Sequence, residues 1–401
     1  MNRRGSSFLI LALLLCLGLS ARPASRTQTT APPAQQTATA ARFAFGGNAA
    51  EIPAEFIGNL VFLPVRVNQS QPSLFLLDST ADTSSIDPGR ARELGLSPEQ
   101  EPVLNLNGVD VPLASLPTNA RKDFGLEVGR AYEGTLGRDF FERVVVEIDY
   151  ARRTVRLYDP AVYKYSGQGA VFPLIFSGSA PVVQAKFSVP KGKDLKADFL
   201  VNTALDASTV VFDRYAEAHH IFSGHFKTIP DVNHPPDSGE PAVIGRLKEF
   251  QLDRYTVEDS LATFTQRAMP QSSGAGVAGE IGGGMLRRFT VVLDYPHKKI
   301  MLESNIHLAE EDEEDKSGIS VVAKGDRLKT FEIVQVQPGT PAAEAGIQKG
   351  DVIAGVDTDA AADLTLAEIR ELFRQVGHKY NLLIQRNGQT QQIAIQTRRL
   401  L

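Results

Sequence analysis

The sequence predicts an all-β protein in which one β-rich domain occurs twice and a small α+β domain follows. Short β-rich segments punctuated by Gly, Pro and Asp run from Asn59 to about residue 305. Two sequence blocks occur in the same order in both halves of this region, which indicates a duplicated domain. The composition, 42% hydrophobic and 22% charged, is that of a globular chain with a real core.

The N-terminus has the features of a signal peptide, which we assign to residues 1–20. Two arginines precede an apolar run, residues 8–19, that is too short to span a membrane, and small residues flank a cleavage position after Ser20. A lipid anchor on Cys16, the only cysteine, is the alternative, but Leu15 before it is not small. We therefore expect an exported protein, periplasmic or extracellular, with no integral membrane segment after signal removal.

Residues 21–54 are expected to be a disordered tether, because the segment is rich in Ala, Thr, Gln and Pro and starts with almost no large apolar residue. The net charge is −5, with 42 basic and 47 acidic side chains and no basic block, which argues against nucleic acid as a partner. The histidines form no HExxH motif, and Gly-x-Ser-x-Gly is absent from the sequence. We therefore expect no metal site and no cofactor.

The duplication is visible in two pairs of matching segments. LLDSTADTSSID (76–87) matches LVNTALDASTVV (200–211). Further along, GRDFFERVVVEIDYARRTVRL (137–157) matches GGGMLRRFTVVLDYPHKKIML (282–302), and EGTLG matches AGEIG just before these blocks. The second pair of blocks and the EGTLG/AGEIG match share one offset of 145 residues, and both kinds of block occur in the same order in each half.

These motifs resemble those of the retropepsin-like and pepsin-like aspartic peptidases, over lobe 1 (residues 55–160) and lobe 2 (residues 168–305). In that family each lobe supplies Asp-Thr-Gly after an apolar strand, and a later apolar-apolar-Gly closes a loop beneath it. FLLDSTA (75–81) and FLVNTAL (199–205) occupy the first position, while Gly137 and Gly282 end the second motif. The resemblance implies two β-barrel lobes with a cleft between them.

The resemblance also implies a catalytic pair at Asp78 and at position 202, where Asn202 replaces the second Asp. Two adjacent carboxylates share a proton, and one of them activates a water while the other polarises the scissile carbonyl. An amide cannot take part in that exchange, so we expect peptidase activity to be absent or very low. We expect Asp78 and Asn202 to lie within hydrogen-bonding distance. The supporting positions are Ser79 and Thr80 in lobe 1 and Thr203 and Ala204 in lobe 2.

Ser79 keeps the hydroxyl of the family's Thr, whereas Thr80 and Ala204 replace glycines and are expected to disturb the close backbone approach. The family also pairs the positions of Asp82 and Arg138 as an ion pair that braces the site, and we expect that pair here.

Two sources of a second carboxylate remain open from the sequence. One is Asp78 of another chain, which the duplication disfavours, and the other is Asp206, which lacks the right position. Lobe 2 also lacks the brace, because Gly283 stands where lobe 1 has Arg138.

The segment 306–316 contains EEDEED, from Glu310 to Asp315. We interpret it as a solvated acidic linker that is extended by its own charge repulsion.

Residues 317–398 resemble a PDZ domain of the kind found with bacterial proteases. The resemblance is carried by VQPGTPAAEAGIQKGDVI (336–353). The sequence further predicts a helix at about 365–376 with a capping box, and a hairpin that turns at Asn387-Gly388.

Such domains bind a peptide as an extra strand on an exposed sheet edge and hold its terminal carboxylate by backbone N–H groups. The candidate groove residues are Gly318, Ile319, Ser320 and Val321 on the first strand and Leu366 and Ile369 on the helix. A domain that only packs against the lobes is the alternative.

The sequence thus predicts an exported, monomeric, aspartic-peptidase-like protein that binds extended polypeptide in the cleft and a C-terminal peptide in the PDZ groove. Whether it is an enzyme stays open at this point. The alternatives are an active aspartic endopeptidase that uses Asp78, and a PDZ-based adaptor with a vestigial cleft.

Overall fold

Each half of the duplicated region folds into its own β-sheet, and the repeated motifs form the central strands. The structure is a computed structural model, which describes residues 40–401 except 98–100, 120–121, 223–225, 235–240 and 266–276. The signal peptide and residues 21–39 of the expected tether lie outside the described residues. No helix in the described part of the chain is long and apolar enough to cross a membrane.

Lobe 1 is built from short strands and three short helices. The strands are β1 (Arg42–Phe43), β2 (Ala49–Ile52), β3 (Glu55–Ile57), β4 (Leu60–Val67), β5 (Ser73–Leu77), β6 (Ser85–Ile86), β7 (Val103–Leu106), β8 (Val109–Pro112), β9 (Gly134–Leu136), β10 (Val145–Asp149) and β11 (Thr154–Tyr158). The helices are α1 (Pro88–Glu93), α2 (Lys122–Val128) and α3 (Arg138–Phe141), and a 3-10 turn spans Ala44–Gly46. One sheet has the order β1-β8-β7-β4-β5-β9-β6, with β3 beside β4.

Lobe 2 repeats this plan with longer strands. The strands are β12 (Ala170–Pro173), β13 (Ile175–Ser177), β14 (Ala180–Ser188), β15 (Leu195–Val201), β16 (Thr209–Phe212), β17 (Thr228–Pro230), β18 (Ala242–Arg246), β19 (Glu249–Leu252), β20 (Tyr255–Glu258), β21 (Leu261–Thr265), β22 (Val277–Ile281), β23 (Phe289–Asp294) and β24 (Lys299–Ser304). The helices are α4 (Asp213–Ala218) and α5 (Gly283–Leu286). Its sheet has the order β17-β18-β21-β16-β22-β15-β14-β19-β20, with β13 beside β14.

A third sheet, in the order β12-β24-β23-β10-β11-β2, joins the two lobes. At its centre β10 and β23 pair antiparallel, and Glu147 lies opposite Val292. These two residues are also equivalent in the sequence repeat, so the approximate two-fold axis passes between them. One continuous hydrophobic core extends through both lobes, from Ile52 to Leu302. The two predicted repeats therefore pack as symmetry-related halves around a shared sheet and core.

The end of the expected tether is ordered in the structure. Strand β1 pairs with β8, and β2 pairs with β11, where Ile52 lies opposite Val155. The prediction of disorder up to residue 54 was wrong for these residues, because they gain backbone hydrogen bonds on two sheet edges that would otherwise be open.

The C-terminal domain has a separate hydrophobic core. Its strands are β25 (Ile319–Lys324), β26 (Thr330–Val336), β27 (Val352–Val356), β28 (Asp359–Ala360), β29 (Lys379–Arg386) and β30 (Gln389–Gln396), its helices are α6 (Pro341–Glu344) and α7 (Leu366–Leu372), and a 3-10 turn spans Ala361–Asp363. The sheet order is β25-β26-β27-β29-β30, with β28 beside β27.

Two predicted signals in this domain are confirmed. Thr365 caps α7 and exchanges hydrogen bonds with Glu368 in a capping box. Asn387 and Gly388, both with positive φ, turn the chain between β29 and β30.

The acidic segment is not a solvated linker, which corrects the prediction. Its alternate acids contact arginines of lobe 2: Glu310 pairs with Arg287, Asp312 with Arg288 at 2.8 Å, and Glu314 with Arg246. Asp312 and Glu314 are buried. Charge repulsion along the segment is overcome because each of these acids has a guanidinium partner fixed by the folded lobe.

Arg288 is the most enclosed of these partners, with a side chain that is 0% exposed. Its guanidinium also donates to the backbone oxygens of His307 and Glu310. Burial lowers the pKa of Arg288, while the carboxylate of Asp312 favours its charged form.

We predict that Asp312→Ala lowers the free energy of unfolding by about 3–5 kcal/mol, because it leaves the charge of Arg288 buried without its partner. Urea denaturation at pH 7 measures this. Arg152→Ala is the matched control, because the Arg152 side chain is 74% exposed and its pair with Asp149 is screened by water, so its loss should change stability by less than about 1 kcal/mol. Equal stability of the Asp312 variant and wild type would contradict the assignment of a buried ion pair.

Candidate functional site

The floor of the cleft is built by the same strand arrangement in each lobe. Strand β5 runs parallel to β9 and leads into Asp78, and β15 runs parallel to β22 and leads into Asn202. The N–H of Asp78 donates to Leu136 O (3.0 Å), and the N–H of Asn202 donates to Ile281 O (2.9 Å). Each of these residues is thus fixed at the end of its strand by the neighbouring strand.

The glycines that follow β9 and β22 are required by close backbone packing. A Cβ atom on Gly137 would lie 2.5 Å from the backbone carbon of Thr83. A Cβ atom on Gly282 would lie 2.3 Å from the backbone oxygen of Ala207. Both distances are too short for any larger residue, so these glycines let the second motif cross against the first.

Ser79 and Thr203 join the two lobes by a reciprocal set of hydrogen bonds, which we call the hydroxyl grip. Ser79 N–H donates to Thr203 Oγ1 (3.0 Å), and Thr203 N–H donates to Ser79 Oγ (3.1 Å). The hydroxyls donate in turn to backbone oxygens of the opposite lobe, Ser79 to Val201 (2.6 Å) and Thr203 to Leu77 (2.7 Å). The grip holds positions 78 and 202 next to each other at the lobe interface.

Asp78 is held in place by its own turn. Its Oδ1 accepts hydrogen bonds from Thr80 N–H (3.0 Å), Thr80 Oγ1 (2.7 Å) and Ala81 N–H (3.2 Å). We expected Thr80 to disturb the backbone where the family has glycine, but its hydroxyl instead binds the carboxylate. The turn thus gives Asp78 one fixed orientation.

Asn202 contacts a residue that sequence reasoning did not select. Its Nδ2 donates to Glu280 Oε2 at 2.8 Å, and its Oδ1 accepts from Ala204 N–H at 3.0 Å. We had expected Asn202 to bond to Asp78. Among the described residues its amide nitrogen instead donates to Glu280. Glu280 stands in the apolar strand VAGEI, and a lone carboxylate there was the signal that could have identified it.

Tyr295, from the second repeated block of lobe 2, supports the turn of lobe 1. Its hydroxyl donates to Ser79 O at 3.0 Å, and its ring stacks on Phe141. Burial raises the pKa of Tyr295 far above its usual value, and the nearby Asp78 carboxylate adds to this effect.

The expected brace of lobe 1 is not formed. Asp82 is exposed, and among the described side chains Arg138 pairs instead with Glu142, with Nε and Oε1 2.7 Å apart. The guanidinium also lies over the ring of Phe176, 4.5 Å from its centre. The four-residue spacing along one helical turn makes Glu142 the closer partner.

Asp206 has a structural contact rather than a place beside Asp78. Its Oδ1 accepts the N–H of Asn59 at 2.7 Å, and its backbone oxygen accepts from the side chain of Asn59 at 2.9 Å. Asp206 thus ties lobe 2 to the turn between β3 and β4 of lobe 1.

The cleft and the PDZ groove open into one cavity of about 2120 Å³. Its walls include Asp78 and Asn202 from the cleft floor and Ile319, Ser320 and Leu366 from the C-terminal domain. The C-terminal domain therefore faces the cleft.

The groove itself is partly covered by the protein's own chain. Strand β25 is the sheet edge that was predicted, but α2 of lobe 1 packs on it. Gly129, just after α2, lies against Leu366, since a Cβ atom there would be 2.7 Å from the Leu366 Cβ. Arg370 donates to Val321 O at 2.8 Å, and Ser320 Oγ donates to Asn233 Oδ1 of lobe 2 at 2.8 Å.

Two charged side chains at this junction were missed by sequence reasoning. Burial lowers the pKa of Arg370, while the carboxylates of Asp206, Glu127 and Asp315 favour its charged form. Asp315 accepts the N–H groups of Ser317 (2.9 Å) and Gly318 (2.6 Å), in the loop expected to hold a ligand carboxylate. Four predicted groove residues, Ile319, Val321, Leu366 and Ile369, belong to the core of the domain. The contact between the PDZ groove and these charged groups follows from the packing of the domain against the lobes and was not visible in the sequence.

Comparison with known proteins supports the assignment of the C-terminal domain. The chain is similar to the aspartic proteinase of Irpex lacteus, with 13% identity over 65% of this chain and 99% of that chain and a TM-score of 0.39. It is also similar to the photosystem II D1 C-terminal processing protease, with 23% identity and a TM-score of 0.20; this match covers 21% of the chain and only 23% of that protein. No curated protein matches the sequence. The family model for PDZ domains matches residues 316–397, and the C-terminal part of the chain is a PDZ domain.

Proposed function

We propose that the protein is exported and binds extended polypeptide in the cleft between its lobes, with ordinary aspartic proteolysis absent or very low. The observation that carries this proposal is the pair of residues fixed by the hydroxyl grip. One of them, Asp78, has a carboxylate. The other, Asn202, has an amide that donates a hydrogen bond to Glu280.

The chemistry of the pair limits what the cleft can do. In an aspartic peptidase the two carboxyl groups share one proton, which moves between them during the reaction. Asn202 has no proton to exchange near neutral or acid pH. Asp78 can still orient a water or accept a backbone N–H, so binding survives while the proton cycle does not.

The shape of the cavity suits a polypeptide. It is lined by both lobes, and its polar groups include the carboxylate of Asp78 and the amide of Asn202. An extended chain presents alternating N–H and C=O groups that such side chains can bind. The facing PDZ domain would take a free C-terminus, through Gly318 to Val321 and the nearby helix α7.

An active aspartic endopeptidase is the second candidate, and Glu280 is the observation that favours it. It supplies a carboxyl group within hydrogen-bonding distance of Asn202, at 2.8 Å. The adaptor hypothesis, in which only the PDZ domain binds, has less support, because the PDZ groove and the cleft share one cavity. We propose a monomer, since one chain supplies both lobes.

We predict that between pH 3 and pH 8 the purified mature protein cleaves casein at least about a hundredfold more slowly than pepsin does at pH 3, because loss of one acid–base group costs about 10²–10⁴ in rate. Gel analysis of timed digests measures this. Asp78→Asn is the control, because it separates cleavage that needs this carboxylate from background cleavage in the assay. Rapid cleavage that Asp78→Asn abolishes would instead establish the active peptidase.

We predict that Gly129→Ala increases the affinity of the full chain for a peptide with a free C-terminal carboxylate, because the added Cβ pushes α2 away from Leu366. Fluorescence anisotropy should give a Kd on the order of micromolar for the variant and several times weaker for wild type.

Gly95→Ala is the matched control for this variant, since Gly95 also has a positive φ but has nothing within 4 Å of an added Cβ. An amidated peptide should bind poorly to both variants. If the acid and the amide bind Gly129→Ala equally, the groove does not recognise a C-terminus.

A further inference from the structure

Lobe 2 retains a buried carboxyl group that contacts Asn202 of the cleft floor, but at a different position of the motif. Glu280 lies on β22, where its neighbours Ala278 and Ile281 are apolar and buried, and Glu280 itself is 1% exposed. Its Oε2 accepts a hydrogen bond from Nδ2 of Asn202 at 2.8 Å. A carboxylate inside such a strand costs stability unless it is hydrogen-bonded, so its presence requires a reason.

The repeat shows how the two lobes differ. Thr135 on β9 is the equivalent of Glu280 on β22, and the two lie opposite the equivalent residues Leu76 and Leu200. In lobe 1 the acid Asp78 follows β5, and the hydroxyl of Thr135 lies on the parallel strand β9. In lobe 2 the amide of Asn202 follows β15, and the acid Glu280 lies on the parallel strand β22.

The surroundings of Asn202 fix the orientation of its amide. The amide oxygen accepts the N–H of Ala204, and the amide nitrogen donates to Glu280. A flipped amide would set its oxygen against the carboxylate and its NH₂ against an N–H donor. The NH₂ group has two hydrogens, and Glu280 takes one of them. Within the described part of the chain the other hydrogen has no partner, and Asn202 lines the cavity, so this hydrogen can bind a group there.

We propose that Glu280 is a positioning residue that holds Asn202 as a hydrogen-bond donor to a main-chain carbonyl oxygen of a polypeptide in the cleft. This proposal rests on the proposed function. The hydrogen bond to Glu280 keeps the amide nitrogen in place. The cleft of lobe 2 then binds a carbonyl oxygen without donating a proton to it.

The proposal has a consequence for the substitution Asn202→Asp, which would restore the familiar pair of Asp residues. The new carboxyl would lie about 2.8 Å from Glu280, and two carboxylates that close cannot both ionise. One of the two would have a pKa raised above its unfolded value. That group stabilises the fold below its unfolded pKa, and this stabilisation is lost as the pH rises through the folded pKa.

The first test measures binding of fluorescein-labelled casein to the full chain. Asn202→Ala and Glu280→Leu should each weaken binding about five- to tenfold, the loss expected for one hydrogen bond. The double variant should be no weaker than either single variant, because both remove the same bond. Glu280→Gln keeps an acceptor and should bind within about threefold of wild type. Additive losses, or wild-type binding by a folded Glu280→Leu, would overturn the proposal.

The second test does not depend on any ligand. The Tm of Asn202→Asp should fall by about 3–6 °C relative to wild type between pH 5 and pH 7.5. The double variant Asn202→Asp/Glu280→Gln should lose this dependence, because only one carboxyl remains. An identical pH dependence in both variants would show that Glu280 is not ionised beside position 202. If casein binds nowhere but this Tm result holds, the proposed function fails while the Glu280–Asn202 pair stands.

Discussion

The hydroxyl grip between Ser79 and Thr203 is the constraint on which the rest of the site depends. Its four hydrogen bonds are buried and cross between the lobes, so each lobe completes the turn of the other. Buried donors and acceptors of this kind are costly to leave unpaired, by about 1–3 kcal/mol each. The grip therefore fixes positions 78 and 202 together whatever residues occupy them, which is how an amide can replace an acid without loss of the architecture.

The shared β-sheet gives the grip its symmetry, and the chemistry of the cleft then departs from that symmetry. Glu147 and Val292 face each other across the axis, as equivalent positions must. Around the same axis, lobe 1 places its carboxylate at Asp78, whereas lobe 2 places it at Glu280. The fold thus constrains where backbone and hydroxyl groups lie much more tightly than it constrains where charge lies.

The PDZ domain is joined to this cleft by charge as well as by apolar packing. Acids of the segment before β25 pair with arginines of lobe 2, and Arg370 lies near carboxylates from both lobes and from that segment. Helix α2 of lobe 1 covers part of the groove at the same time. The PDZ edge and the cleft therefore lie on the same boundary of one cavity.

The sequence by itself determined the all-β class, the duplication, the strands that carry the motifs and the capped helix and hairpin of the PDZ domain. These are local signals, because a repeat, an alternating apolar pattern or a capping box is complete within a few residues. It also placed Asp78 and Asn202 at equivalent positions. Only the tertiary structure decided the partners of charged groups: Glu280 for Asn202, Glu142 for Arg138, and lobe 2 arginines for the acidic segment. Those pairs join residues whose distance depends on how sheets and domains pack, and a sequence read locally contains no measure of that distance.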